Sequence, residues 1–183
     1  MERFHLVGSI RVDPPLRRAE YEYLTAFAES RRWSRPEGPY AVPGNPLAEC
    51  LDSSLDLASY AVPADGQPGV LCPWIPSRAG EVLVPVDGLP GGNGLPPGEV
   101  AGWLGYLCDH FLRPGALAEK YDGPQPGAFA DFGFDHAMHG AAAVCSDRTG
   151  CVTVVWVAAN RIRVEEIPES SLSAAQSAQV SGV

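Results

Sequence analysis

Hydrophobic and polar positions alternate along this chain with two different periods, which separates strands from helices. Residues 4–12 alternate every second position, which is typical of a strand with one buried face. Residues 14–31 place apolar side chains every three or four positions and therefore predict a helix. Asp13 is the expected N-cap of this helix, and its glutamates, Glu20 among them, are expected to face water.

The middle of the chain follows with two short apolar runs and a second helical pattern. Residues 70–75 and 81–86 predict strands, and the segment 76–80 between them has the composition of a hairpin turn. Prolines inside both runs require at least one of them to be an edge strand. Residues 96–112 again show helical spacing of large apolar side chains, which predicts a second helix of the same kind.

The last part of the chain is dominated by apolar runs of strand length. Residues 137–144 and 152–157 predict a hairpin, and Asn160 marks either a turn or a bulge before a final strand at 162–167. The order of elements predicts an α+β fold of ferredoxin-like type. This is a two-layer sandwich with an antiparallel sheet, two helices on one face, and long Pro/Gly-rich loops. We expect one domain over 1–168 and a Ser/Ala-rich tail over 169–183.

Net charge, the length of apolar runs and the cysteine count limit the partners and the location that are expected for this chain. The net charge of −9 disfavours a phosphate backbone, so no nucleic acid partner is expected. No apolar run approaches the length of a membrane span and no secretory leader is recognisable, so neither a membrane nor export is expected. Five cysteines make an odd count that suits reduced thiols, which favours a cytoplasmic location. No cofactor is expected, because no nucleotide-binding loop or dinucleotide fingerprint occurs.

Two longer motifs carry a family resemblance. GQPGVLCPWIP at 66–76 and WLGYLCDHFLRP at 103–114 resemble a family of small proteins from actinobacteria and their phages that has no assigned activity. The segment DPPL at 13–16, followed by RRAEYEYLTAFAESRR at 17–32, is similar too. The resemblance extends over roughly half of the chain. It implies a shared fold and no particular chemistry.

Two neighbouring carboxylate–histidine pairs are candidates for proton transfer. Asp109 and His110 lie on the second predicted helix, and Asp135 and His136 precede the late hairpin. A histidine close to a carboxylate titrates near neutrality and can move a proton. The alternative for His110 is a cation that stabilises the end of a helix. These pairs support one hypothesis, a small cofactor-independent enzyme with a ligand cavity.

Apolar and thiol side chains supply candidates for ligand binding. Cys72 is the best-placed nucleophile, although a buried structural cysteine is the simpler interpretation. Trp74 and Trp103 have the size to line an apolar pocket or to fill the core. His139 is a further candidate ligand contact.

Metal binding is not expected. His136 and His139 would point to opposite faces of a strand, and no closely spaced cysteine pair accompanies them. Cys145 and Cys151 flank the turn of the late hairpin, so a cross-strand disulfide and unbridged thiols both stay open.

The leading hypothesis comes from the strand at 152–157, which is apolar on both faces. An exposed apolar sheet face usually finds a partner. We therefore expect a binding or accessory module that recognises a protein partner or a small ligand through its open sheet face, and a homodimer is a further expectation. The alternatives are the enzyme described above and an immunity- or inhibitor-type protein, which the acidic charge suits.

Overall fold

A computed structural model describes residues 3–44, 61–86, 95–124 and 127–168 of the chain. These residues form one six-stranded antiparallel sheet and two α-helices, which confirms the α+β class. The strands are β1 (Phe4–Asp13), β2 (Trp74–Pro76), β3 (Val82–Pro85), β4 (Ala137–Ser146), β5 (Val152–Ala158) and β6 (Arg161–Ile167). The helices are α1 (Arg18–Glu29) and α2 (Pro97–Leu107), and α2 continues as a π-helical turn over Cys108–Leu112. The predicted tail at 169–183 and much of the predicted loop regions lie outside the described residues.

The sheet has the strand order β2-β3-β1-β4-β5-β6, and each neighbouring pair is antiparallel. β1 lies inside the sheet and pairs with β4 along its whole length, from Phe4 opposite Ser146 to Asp13 opposite Ala137. β2 forms one edge, as the prolines in that segment required. β6 forms the other edge and follows β5 through a two-residue turn in which Asn160 has a φ of 65°, so the predicted turn is confirmed.

The start of α1 differs from the prediction. Asp13 is not its N-cap, because the backbone of Asp13 still pairs with Ala137 in the sheet. The helix begins at Arg18 instead, and the backbone N–H of Arg17 donates to Oε2 of Glu20 at 2.6 Å. Glu20 therefore satisfies one of the unpaired N–H groups of the first turn. The prediction that Glu20 faces water is also wrong, since its side chain is fully buried.

One cluster of buried side chains joins both helices to the sheet. Phe27 of α1 and Trp103 of α2 meet with their ring centres 6.1 Å apart. The strands contribute alternate positions, such as Ile10 of β1 and Met138 of β4, which are fully buried. The intervening positions point away from the helices, and we call the surface they form the outer face. It includes Val7, Ser9, Arg11, His139, Ala141, Ala143, Val154, Trp156, Ala158, Arg161, Arg163 and Glu165, and continues through His5, Cys145, Val152 and Ile167.

No helix within the described ranges is long and apolar enough to cross a membrane.

Candidate functional site

A buried histidine–glutamate pair lies where α1 meets the segment before β4. Nε2 of His136 is 3.0 Å from Oε1 of Glu20, and both side chains are almost completely inaccessible to solvent. Nδ1 of His136 donates to the carbonyl oxygen of Pro14 at 2.7 Å. Glu20 also accepts the backbone N–H of Gly133 at 2.7 Å. The pair thus ties α1 to the chain just after β1 and to the chain just before β4.

The hydrogen bonds fix the charge state of this pair. Burial alone would lower the pKa of His136, but hydrogen bonds to Glu20 and Pro14 outweigh it and raise that pKa. Burial alone would raise the pKa of Glu20, but hydrogen bonds from His136, Gly133 and Arg17 outweigh it and lower that pKa. Between the lowered pKa of Glu20 and the raised pKa of His136, the pair is a carboxylate and an imidazolium, which together form a buried ion pair.

Asp135, the sequence neighbour of His136, is a peripheral member of this cluster. Its Oδ1 lies 3.7 Å from Nε2 of His136, and its Oδ2 lies 3.7 Å from the guanidinium of Arg17. The Asp135 side chain is half exposed, whereas both ring nitrogens of His136 are already occupied by Glu20 and Pro14. This arrangement leaves no ring nitrogen of His136 available for a substrate.

The second candidate pair, Asp109 and His110, diverges on the π-helical turn. Asp109 accepts a hydrogen bond from Nε of Arg113 at 2.7 Å on the surface. His110 turns inward, where its Nδ1 and the Tyr40 hydroxyl share a hydrogen bond of 2.6 Å and its ring stacks on Tyr106 at 3.8 Å. Burial lowers the pKa of His110 to about 4, against a smaller opposing effect of Asp109. At neutral pH His110 is an uncharged member of an aromatic cluster.

Sequence reasoning missed a buried cation at the other side of that cluster. Arg32 is fully buried, and its guanidinium lies 3.9 Å above the centre of the Phe27 ring. It donates to the hydroxyl of Ser30 at 2.9 Å and to the carbonyls of Ala41 at 3.0 Å and Pro39 at 2.7 Å. Burial lowers its pKa to about 10. Arg32 fixes the loop after α1 against the core, and its position just past the end of α1 is the only sequence signal for it.

The apolar candidates belong to the core. Trp74 is buried and its indole N–H donates to the carbonyl of Val100 at 3.1 Å, which ties β2 to α2. Trp103 is fully buried between the helices. Cys72 is also fully buried, and burial raises the pKa of its thiol to about 12, so it is a poor nucleophile near neutral pH.

The remaining candidates lie near the outer face. His139 is exposed there, and its Nδ1 accepts the backbone N–H of Ala159 at 3.3 Å. Cys145 lies opposite Val152 in the sheet, and both Cys145 and Cys151 are unbridged thiols. Within the described ranges, no group of three or more His, Cys, Asp or Glu side chains has a geometry that would hold a metal ion.

The outer face also contains a solvent-exposed groove. Trp156 is 46% exposed, and a groove of about 710 Å³ runs beside it, lined also by Ala158, Ala159, Arg161 and Arg163. The groove exists because the β5–β6 turn and the two arginines of β6 rise beside the flat indole ring. The exposure of Trp156 follows from the register of β5, which places its side chain on the outer face.

The register also concentrates positive charge at this end of the outer face. Arg11, His139, Ala158 and Arg161 occupy one row across four strands, and Ser9, Ala141, Trp156 and Arg163 occupy the next. Neither row contains a carboxylate. A chain with a net charge of −9 therefore presents a local basic patch around an exposed tryptophan. We call the two rows the Trp156 patch.

Comparison of the chain with protein-family models, with curated proteins and with solved structures finds no match. The resemblance to the actinobacterial and actinophage family therefore stays a prediction, and the evidence for a function comes from the geometry of the site alone.

Proposed function

We propose that this protein is a binding module that recognises an acidic segment of a protein partner through the Trp156 patch. The observation that carries the proposal is the solvent exposure of Trp156 beside Arg161 and Arg163. Tryptophan and arginine are the residue types that dominate the energy of protein interfaces. A large ring left in water costs free energy unless a partner covers it.

The chemistry of the patch favours carboxylates in that partner. Arg161 presents a planar guanidinium group, which binds carboxylates through paired hydrogen bonds. Arg163 already pairs with Glu165 of the same chain at 3.0 Å, so a carboxylate of the partner would have to share or replace that contact. Phosphate would suit the same groups, but three arginines on a strongly acidic chain supply little of the charge that a nucleic acid needs. A peptide with aspartates or glutamates around an apolar residue fits the groove best.

The enzyme alternative has less support. It requires a histidine–carboxylate pair that a substrate can reach. Both ring nitrogens of His136 are occupied inside the protein, and His110 has turned away from Asp109. The immunity- or inhibitor-type alternative is the same binding proposal with an enzyme as partner, and it stays a prediction.

We propose further that β1 to β4 and the two helices form a ferredoxin-like unit to which β5 and β6 are added. The order β2-β3-β1-β4 with antiparallel neighbours supports this assignment. The single domain over 1–168 and the cytoplasmic location also stay predictions.

A displayed library of acidic peptides tests the binding proposal. Peptides are selected on the wild-type protein, and their affinities are then measured for Trp156→Ala and for the double variant Arg161→Glu, Arg163→Glu. We expect each variant to weaken binding by about thirtyfold, the effect of losing a major interface residue. The matched controls are Leu117→Ala and Arg148→Glu, which alter exposed residues away from the patch.

Two results would contradict the proposal. One is that no peptide is enriched on the wild-type protein. The other is that the selected peptides bind Trp156→Ala as tightly as wild type.

A further inference from the structure

The two edges of the sheet are protected to different degrees. β2 has three residues and ends in Pro76, which has no N–H to offer another strand. β6 has seven residues, contains no proline and carries two arginines and two glutamates, charges that disfavour pairing with most strands but not with a strand of complementary charge. Val164, in the middle of β6, is 47% exposed. Among the described residues no strand lies beyond β6.

The turn before β6 determines which of its backbone groups face the open side. In a two-residue hairpin the residues that flank the turn, here Ala158 and Arg161, form a hydrogen-bonded pair. Such pairs alternate along an antiparallel ladder. The N–H and C=O groups of Ile162, Val164 and Glu166 therefore point away from β5. They form a row of donors and acceptors for a further strand.

We propose that β6 pairs with β6 of a second copy of this chain, antiparallel and about a two-fold axis at Val164. The two copies of Val164 exchange both backbone hydrogen bonds at the centre. Arg163 of each copy then faces Glu165 of the other on the outer face. A two-fold interface requires every contact to occur twice, and the sequence of β6 meets that requirement with opposite charges. The result is a continuous sheet of two joined copies.

The charges also select this register over its neighbours. A shift by two residues in one direction places Arg163 opposite Arg163, and a shift in the other places Glu165 opposite Glu165. Like charges directly opposite each other on adjacent strands are destabilising. In the proposed register, Arg163 and Glu165 occupy a non-hydrogen-bonded pair, in which side chains approach most closely. Within one copy they already form an ion pair of 3.0 Å, so their side chains lie on the correct face.

Charge reversal on the full chain tests the proposal by sedimentation velocity over a range of protein concentrations. Wild type is expected to sediment as a dimer. Arg163→Glu and Glu165→Arg each create two like-charge contacts, and each is expected to weaken the dimer by about tenfold or more. The double variant Arg163→Glu, Glu165→Arg restores both contacts and is expected to dimerise like wild type. Arg148→Glu, a charge reversal outside β6, is the matched control and is expected to leave the dimer unchanged.

A backbone variant separates this interface from the Trp156 patch. Val164→Pro removes the central N–H donor without altering a side chain of the patch, and it is expected to yield a monomer that still binds the selected acidic peptides. Far-ultraviolet circular dichroism checks that each variant is folded. If Val164→Pro does not fold, Glu165→Arg is the second comparison: it is expected to weaken the dimer without weakening the binding of acidic peptides, because it adds a positive charge next to Arg163. Because peptide affinity and assembly are measured separately, either proposal can fail while the other stands.

Three results would overturn the β6 interface. If the wild-type protein is monomeric at every concentration, β6 does not pair with a second copy of this chain. A dimer that withstands both single reversals would place the interface elsewhere. Failure of the double reversal to restore the dimer would show that Arg163 and Glu165 do not face each other across it.

Discussion

Replacement of Glu20 by glutamine tests the interpretation of the buried ion pair most directly. The carboxylate of Glu20 accepts three hydrogen bonds, from the backbone N–H groups of Arg17 at 2.6 Å and Gly133 at 2.7 Å and from Nε2 of His136 at 3.0 Å. Glutamine has the same shape but only one acceptor oxygen. Whichever way its amide is turned, an NH₂ group faces a backbone N–H, and one buried donor loses its partner.

The expected loss of stability follows from the hydrogen bonds that Glu20→Gln removes. An unsatisfied buried donor costs about 1–3 kcal/mol, and removal of one partner from a buried ion pair costs about 3–5 kcal/mol. We expect Glu20→Gln to lower the free energy of unfolding by about 3 kcal/mol at pH 5.5, which lowers the melting temperature by roughly 6–12 °C for a domain of this size. The matched control is Glu22→Gln on the exposed side of the same helix, where solvent screens the ion pair with Arg18 and its loss is expected to change stability little.

The pH dependence of the stability difference between wild type and Glu20→Gln is a sharper test of the ion pair than its size at one pH. The pKa of His136 is raised in the folded chain, so its contribution is complete below its ordinary value of 6.5 and is lost as pH rises through the raised pKa. The pKa of Glu20 is lowered, so its contribution is present above its ordinary value of 4.5 and is lost as pH falls through the lowered pKa. The stability difference between wild type and Glu20→Gln should therefore be largest between these two values.

Urea unfolding of both proteins from pH 3 to pH 9 measures that difference directly. Because every other titrating group is common to the two proteins, subtraction isolates the pair. A difference that stays constant across the whole range would refute the assignment of an ionised Glu20–His136 pair. A difference below about 1 kcal/mol at pH 5.5 would refute the estimate of its strength.

Three further predictions concern the sheet, the thiols and the edge strand. In thermal unfolding, Gly8→Ala should destabilise the protein by more than about 2 kcal/mol, because the φ of Gly8 is 118° and the new Cβ would lie 2.6 Å from a carbonyl oxygen of β4. The control is Gly98→Ala on an open helix surface, which should be neutral or stabilising by up to about 1 kcal/mol. Iodoacetamide followed by mass spectrometry should modify Cys145 in the native protein but Cys72 only in denaturant, since Cys72 is buried with a pKa of about 12. Trp74→Phe should cost more than about 1 kcal/mol in chemical unfolding, through the loss of one buried hydrogen bond and through the space that the smaller ring leaves in the core.

Local periodicity was sufficient to predict most of the secondary structure. The late hairpin and the turn at Asn160 follow from short-range patterns, and the structure confirms them. The N-cap prediction for Asp13 failed because pairing with β4 extends β1 through that residue. A contact between residues so far apart in sequence leaves no trace in the local pattern.

The buried ion pair could not be predicted from the sequence for the same reason: its two residues lie far apart in the chain. Glu20 was expected to face water because glutamates on helices usually do. Yet it lies four residues before Leu24 and seven before Phe27, on the apolar stripe of α1, and that position is the one signal for its burial. His136 was singled out for its neighbour Asp135, whereas its closer partner lies 116 residues earlier in the chain. Sequence adjacency therefore identified the correct histidine with the wrong carboxylate.

The placement of β1 has a consequence for how the chain acquires its structure during synthesis. This strand leaves the ribosome well before its most extensive partner, β4. Until Ala137–Ser146 has emerged, Leu6 and Ile10 lack half of their neighbours and stay exposed to other nascent chains. Proteins dominated by such distant contacts fold slowly and aggregate readily while incomplete. Chains truncated before β4 should therefore depend on chaperones to remain in solution, whereas chains that include β4 should not.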